Sequence, residues 1–358
     1  MLFFELLQIA LGNRERLGKA LSTEEWTEIY AESERQAVTG ILLQGIDRLP
    51  LEQRPPKVFL LQWIGVGQMI EQQNHLLDER CVELLSNLTS AGLHPTILKG
   101  QGVARYYPEA LQKLRQPGDI DVYVSDGREK AIAYAKSLGQ KDIDWDYKHL
   151  HLKIWDDTEA ELHYHVEVLL NLWKNRKLQK WFQSHQDAIQ GSRFKVQDGV
   201  IVTPSVEFNV FYILLHIYRH FLYEGVGFRQ IIDYYFVLKN LNDNLNVNES
   251  YAYKAVREFG MTRFAKGLMW VMHEALGMSR EWMLWEPDEK EGRYILEQVM
   301  MGGNFGHHDE RLKHSGGKLG AVKAILTHNL HLLTHYPSDV IWAPVWIVWH
   351  KVWKLTRV

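Results

Sequence analysis

A single cysteine, Cys81, stands in the 358 residues, so neither an intramolecular disulfide nor a cysteine-based zinc site can hold this fold together. Positive charge is not in excess: 41 Lys and Arg against 44 Asp and Glu leave a net −3, which lacks the electrostatic footprint of a duplex DNA binder. Long apolar runs are missing too. The longest near the C-terminal end, Ile341 to Trp349, is about half of the roughly 20 residues a spanning helix needs. The opening segment MLFFELLQIALGNRER interrupts its apolar residues with Glu5 and Gln8 and has no basic lead, so it reads as an amphipathic helix and not as a secretory leader. These absences point to a globular cytoplasmic protein large enough for about two domains. What is abundant instead is side chains with special chemistry, 13 Trp and 17 His.

Residues 1–92 carry apolar residues at helical spacing, as in Leu76, Leu77, Leu84, Leu85 and Leu88, with a break at Pro55 and Pro56. Gly92 is placed to end this helical block, and the strand-like run His94 to Leu98 opens an α/β segment over 93–195. Within it, Gly100 and Gly102 mark a turn, Asp119 to Val124 reads as a second strand, Glu129 to Leu138 as a helix, and His149 to Trp155 with Ala160 to Val168 as a hairpin. Thr203 as N-cap and Pro204 at the first helical position predict a helix start, and 196–358 reads as a C-terminal helical domain broken at Gly302, Gly303, Gly316 and Gly317.

The sharpest motif is Gly118-Asp119-Ile120-Asp121-Val122-Tyr123-Val124. Asp is a poor strand residue, so two of them at the head of an apolar strand call for a reason beyond propensity. With a period of two, Asp119 and Asp121 share one face, their backbones roughly 6.6 Å apart, while Ile120, Val122 and Val124 face the core. Two like charges that close call for a cation, and oxygen ligands suit magnesium or manganese. A pair of such ions about 3.5–4 Å apart is the usual clamp for phosphoryl chemistry. Upstream, Lys99, Gly100, Gln101 and Gly102 follow a strand and start a helix, an arrangement that offers backbone N–H groups to an anion, with Arg105 adding charge. Downstream, Glu161, His163 and His165 alternate onto one face and bring a third carboxylate.

The runs LKGQGVARYYP, LRQPGDIDVYV, AELHYHV, HIYRHF and GFRQIID together resemble the uncharacterised bacterial nucleotidyltransferase family, a branch of the polymerase-beta-like nucleotidyltransferase superfamily, over roughly residues 60–240. The resemblance implies an α+β fold, a small mixed β-sheet with flanking helices embedded between N- and C-terminal helical regions. It implies Mg2+ (or Mn2+) bound by Asp119 and Asp121, with Glu161 completing a catalytic and metal-binding triad. The expected reaction transfers NMP from an NTP, ATP first, to a small-molecule or protein acceptor and releases pyrophosphate. Gly100, Gln101 and Gly102 would then offer backbone donors to phosphates, Lys99 and Arg115 would support them with charge, and His163 would contact acceptor or base. Gln101 departs from the serine or glycine usual after the first turn glycine.

The paired segments carrying His149, His151, His163 and His165 could bind zinc, although a cleft lining is the more ordinary use. Arg229 and Asp233 stand i, i+4, which reads first as an intrahelical ion pair. Trp342, Trp346, Trp349 and Trp353 fall on one helical stripe, inside a basic stretch from Arg311 to Val358 that has seven Lys or Arg against one acid, Asp339. Such a stripe docks on the helical body or, with Lys351, Lys354 and Arg357, meets a membrane surface or anionic partner. Two other functions compete with nucleotidyl transfer. One is a non-catalytic binding protein that keeps the fold. The other is a DxD glycosyltransferase, which is disfavoured because the strand continues past the acids and a third acid follows.

Overall fold

The computed structural model describes residues 1–241, 250–304 and 332–356. It divides into two compact units that do not follow chain order. The first takes Met1–Leu76, Val103–Pro117 and Ile213–Asp309, and the second takes Leu77–Gly102, Gly118–Tyr212 and Glu310–Val358. Segments read as successive along the chain are therefore interleaved. The long helix Lys57–Ser90 and the helix Val206–Tyr223 each contribute to both units.

The first unit is helical. Its first helix, Leu2–Leu11, buries Leu6, Leu7, Ile9 and Ala10 and ends at Gly12, whose left-handed φ of 81° closes the turn. Ser22 and Glu25 form a capping box that starts Thr23–Arg35. Gly45, in Thr39–Arg48, lies where a Cβ would come within 2.8 Å of the Leu6 carbonyl oxygen, so these two helices approach more closely than any larger residue permits. Phe228, at the start of Phe228–Lys239, packs against the rings of Phe3 and Phe4 at 6.0 and 5.5 Å. A buried ionic group crosses this unit: Arg115 donates from Nε and Nη2 to the two oxygens of Asp233 at 2.7 and 2.8 Å, and Tyr107 Oη donates to Asp233 Oδ1 at 2.7 Å. Arg229 reaches the carbonyls of Gln116 and Pro117 at 3.4 and 3.3 Å.

The second unit holds two small sheets. β1 (Pro95–Ile97), β2 (Ile120–Val124), β3 (His149–Leu152) and β4 (Ala160–His163) lie in the order β1-β2-β4-β3. β2 pairs antiparallel with β1 and parallel with β4, which in turn pairs antiparallel with β3. This is the small mixed sheet with flanking helices of an α+β fold. One face carries Ile120, Val122, Val124, Leu150, Leu152, Ala160 and Leu162 into a core completed by Leu84, Leu85 and Leu88 and by Ala131 and Ala135 of Arg128–Ser137. Polar–apolar alternation thus decides the core at period two.

A second hairpin, β5 (Ser192–Val196) with β6 (Gly199–Thr203), was not expected from the sequence. Thr203 ends β6, and the following helix starts at Val206 with Ser205 Oγ accepting from Phe208 N at 3.3 Å. Pro204 therefore separates strand from helix and is not the first helical residue. Near the C-terminus, Pro337–Val340 precedes Trp342–Leu355. The breaks read at Gly316 and Gly317, and the basic residues Arg311, Lys313, Lys318, Lys323 and Arg357, lie outside the described residues. No helix among the described residues is long and apolar enough to cross a membrane.

Removing one partner of a buried ion pair strands the other charge. Asp233→Ala is expected to destabilise the protein by about 3–5 kcal/mol, read as a lower midpoint in urea unfolding. An unchanged midpoint would show that Arg115 finds compensation elsewhere.

Candidate active site on the polar face of the sheet

The opposite face of the same strands collects the charged residues. Parallel register sets Asp121 directly beside Glu161 and Tyr123 beside His163. Antiparallel register sets His151 beside Glu161 and His149 beside His163. A two-residue period therefore gathers two carboxylates and three imidazoles over neighbouring strands.

These charges are balanced within the chain. Lys99 Nζ lies 2.9 Å from Asp121 Oδ1. His163 is fully buried, and its Nε2 lies 2.9 Å from the same oxygen and 3.1 Å from Glu161 Oε2, so this nitrogen carries the proton shared by both carboxylates. Burial works against the Lys99 ammonium, yet Asp121, Asp119 and Glu161 outweigh it and hold its pKa above the ordinary value. Burial also opposes ionisation of Asp121, but Lys99 and His163 keep its pKa well below the usual carboxylate range. Glu161 is held at about 2 because the hydrogen bond from His163 overcomes its burial. In return the two carboxylates raise the His163 pKa against the effect of burial. Asp119 stands at the head of β2, where its charge acts on Lys99. Tyr212 is buried, and the field of Asp121, Glu167, Asp119 and Glu161 adds to burial in raising its pKa well above ordinary.

Asp121, Glu161 and His163 offer ligand atoms that all lie within 4.8 Å of one another, and His149, His151 and Glu161 form a second such group. Asp119 belongs to neither group. The glycine turn abuts the head of β2: Gly100 has φ +54°, and Leu98 N–H donates to the Asp121 carbonyl at 2.9 Å. A Cβ on Gly102 would sit 3.0 Å from the Ile97 carbonyl oxygen and 3.2 Å from Thr203 Cγ2, so the turn must remain small. Gln101 directs its side-chain amide to Asp78 at 2.6 Å. Thus Lys99, Gly100, Gln101, Gly102, Asp119, Asp121, Glu161 and His163 all belong to the second unit, whereas Arg115 belongs to the first and is engaged by Asp233.

Beyond Tyr123 and His165 the second unit carries an open pocket of about 890 Å³, lined by Tyr123, Arg128, Tyr147, His165, Gln183 and Trp353 among others. Gln186 Nε2 donates to Tyr123 Oη at 3.2 Å. Tyr147 is the hub of this wall. His165 stacks on it at 4.6 Å, and Trp346, Trp349 and Trp353 meet it edge-on at 5.5, 5.2 and 5.1 Å. Trp346, Trp349 and Trp353 of the stripe therefore dock on an aromatic residue of the α/β segment, and the solvent side of their helix shows Val345, Val348, Val352 and Leu355. Arg128 lies 5.3 Å from each of the Trp145 and Trp353 rings.

Sequence reasoning missed a buried ion pair next to the site, Lys148 with Glu167 at 3.1 Å. Its partners are 19 positions apart and share no motif. It also missed Tyr147 and Tyr212, which carry no spacing signal of their own.

A family model described as "Uncharacterised nucleotidyltransferase" matches residues 22–277. No curated protein matches the chain. Among solved structures, the chain is similar to one described as "Crystal structure of an antigenic nucleotidyltransferase-like protein from Paracoccidioides brasiliensis", with 13% identity, 63% of this chain and 96% of that chain covered, and a TM-score of 0.35.

Burial, joined by the His163 charge, lowers the pKa of His149 to about 4, and burial lowers that of His165 to about 4. A depressed histidine pKa means that the unfolded chain binds the proton more tightly. The stability contributed by these two neutral rings is therefore fully present above about pH 6.5 and lost as pH falls toward 4. Thermal unfolding midpoints across this window should decline with acid, and a His165→Phe variant should show a shallower decline; equal slopes would contradict the assignment.

Proposed function

Because the chain belongs to the uncharacterised nucleotidyltransferase family, we propose that it transfers NMP from an NTP, ATP being the first to test, to an acceptor hydroxyl and releases pyrophosphate. The observation that carries this reading is the in-register pair Asp121 and Glu161, with Asp119 at the strand head and Lys99 from the glycine turn beside them.

The donor chemistry fits a hard divalent cation. Asp121, Glu161 and Asp119 supply oxygen ligands, and all three acids act on the same Lys99 ammonium, which places their charge around one point of the sheet face. Bound there, Mg2+ or Mn2+ would supply Lewis-acid stabilisation of the phosphoryl oxygens. Glu161 stays ionised down to about pH 2, which makes it a permanent ligand and not a base near neutrality. Lys99 brings a charge that does not titrate near neutral pH to the place where phosphate oxygens would meet the acids. His163 fixes the orientation of both carboxylates through one nitrogen. The acceptor side is the pocket past Tyr123 and His165, whose size, rings and glutamine amides suit a small polar molecule.

One observation favours a second reading. The Lys99 ammonium already lies against Asp121, as a built-in cation would in a protein that keeps the fold for binding without catalysis. Thermal-shift measurements with each of the four NTPs, with and without Mg2+ or Mn2+, separate the two. Transfer chemistry predicts a metal-dependent shift with at least one nucleotide, weakened by about tenfold or more in apparent affinity by Asp119→Asn or Glu161→Gln. The absence of any nucleotide-dependent shift would favour the second reading.

A further inference from the structure

The imidazoles on the polar face have different partners. His163 is committed through Nε2 to Asp121 and Glu161, and His165 stacks on Tyr147. His149 and His151 instead stand beside Glu161. They are two positions apart on β3 and so share a face, register puts His151 opposite Glu161, and His149 Nδ1 lies 3.3 Å from Glu161 Oε2. We propose that His149, His151 and Glu161 form a site for a borderline transition-metal ion, Zn2+ foremost, that shares Glu161 with the oxygen-rich group around Asp121.

The ligand set decides the metal. Two imidazole nitrogens and one carboxylate are a common protein ligand set for zinc that leaves positions open for water or substrate, whereas Mg2+ takes oxygen ligands and holds imidazole poorly. The three side chains place ligand atoms within 4.8 Å of one another, so small side-chain rotations bring all three to one ion. The backbone beneath them is fixed: Asp146 Oδ1 accepts from Lys148 N at 2.6 Å and His149 N at 2.9 Å, and Lys148 is itself tied to Glu167. The His149 and His151 rings meet edge-to-face at 5.0 Å, and His151 is open to solvent, which provides an entry path. This site does not depend on nucleotidyl transfer, because its ligands can be loaded without nucleotide.

The test uses the full untagged chain, stripped with a chelator and titrated with ZnCl2 alone by calorimetry, with retained metal counted by elemental analysis after gel filtration. Stoichiometric zinc is expected in the unaltered protein. His149→Ala and His151→Ala should each weaken binding by about tenfold or more, while His94→Ala, an exposed imidazole elsewhere in the same unit, should not. Substitution with Co2+ adds a visible absorption that should disappear in the first two variants. Failure of the unaltered protein to retain zinc, or retention undiminished in both β3 variants, would overturn the proposal.

Discussion

The constraint on which the site depends is negative charge held beside negative charge on a buried sheet face. Parallel pairing of β2 with β4 leaves Asp121 and Glu161 no freedom to separate, and Asp121 is almost wholly buried. Carboxylates in such a place are stable only when matched by charge and hydrogen bonds. Lys99 and His163 provide that match, and both are delivered by backbone geometry. Antiparallel β1 lies against β2, so the chain leaving β1 places Lys99 over Asp121, and Gly100 then turns it away through a left-handed φ. His163 stands two residues after Glu161 on the same strand, hence on the same face.

The same alternation links the charged face to the pocket. Tyr123 follows Asp121 and His165 follows His163, each by two positions, so polar chemistry continues into an aromatic wall. That wall is completed by the helix Trp342–Leu355, whose Trp rings close around Tyr147. An apolar terminal helix that would otherwise present its Trp rings to water instead shapes a recess within the second unit.

Much of this was legible from local pattern. Alternation in Asp119–Val124 and Glu161–His165 assigns each side chain to a face, because strand period is a property of the backbone and needs no partner. Left-handed glycines at 12, 92 and 139 stand at or just after helix ends, where a Cβ would be strained. Local pattern failed where two signals coincide. Thr203-Pro204 resembles a helix start but closes the β6 strand, and that stronger signal masks the β-branched run Val200-Ile201-Val202-Thr203, which pairs with β5 across the turn at Gln197 and Asp198. The Arg115 charge gave no hint of its use, because Asp233 lies 118 positions away.

By itself, the sequence determined which residues share a face of their own strand, with Asp119 beside Asp121 and Glu161 beside His163, and where the chain turns. Tertiary structure decided which cations meet them. It assigned Lys99 and His163 to Asp121, took Arg115 into a buried pair with Asp233, separated Asp119 from the close ligand groups, and left His149 and His151 beside Glu161. The reason is that a side chain's face follows from local backbone period, whereas its partner follows from strand order and register between distant segments, and charge balance is settled only by the partner.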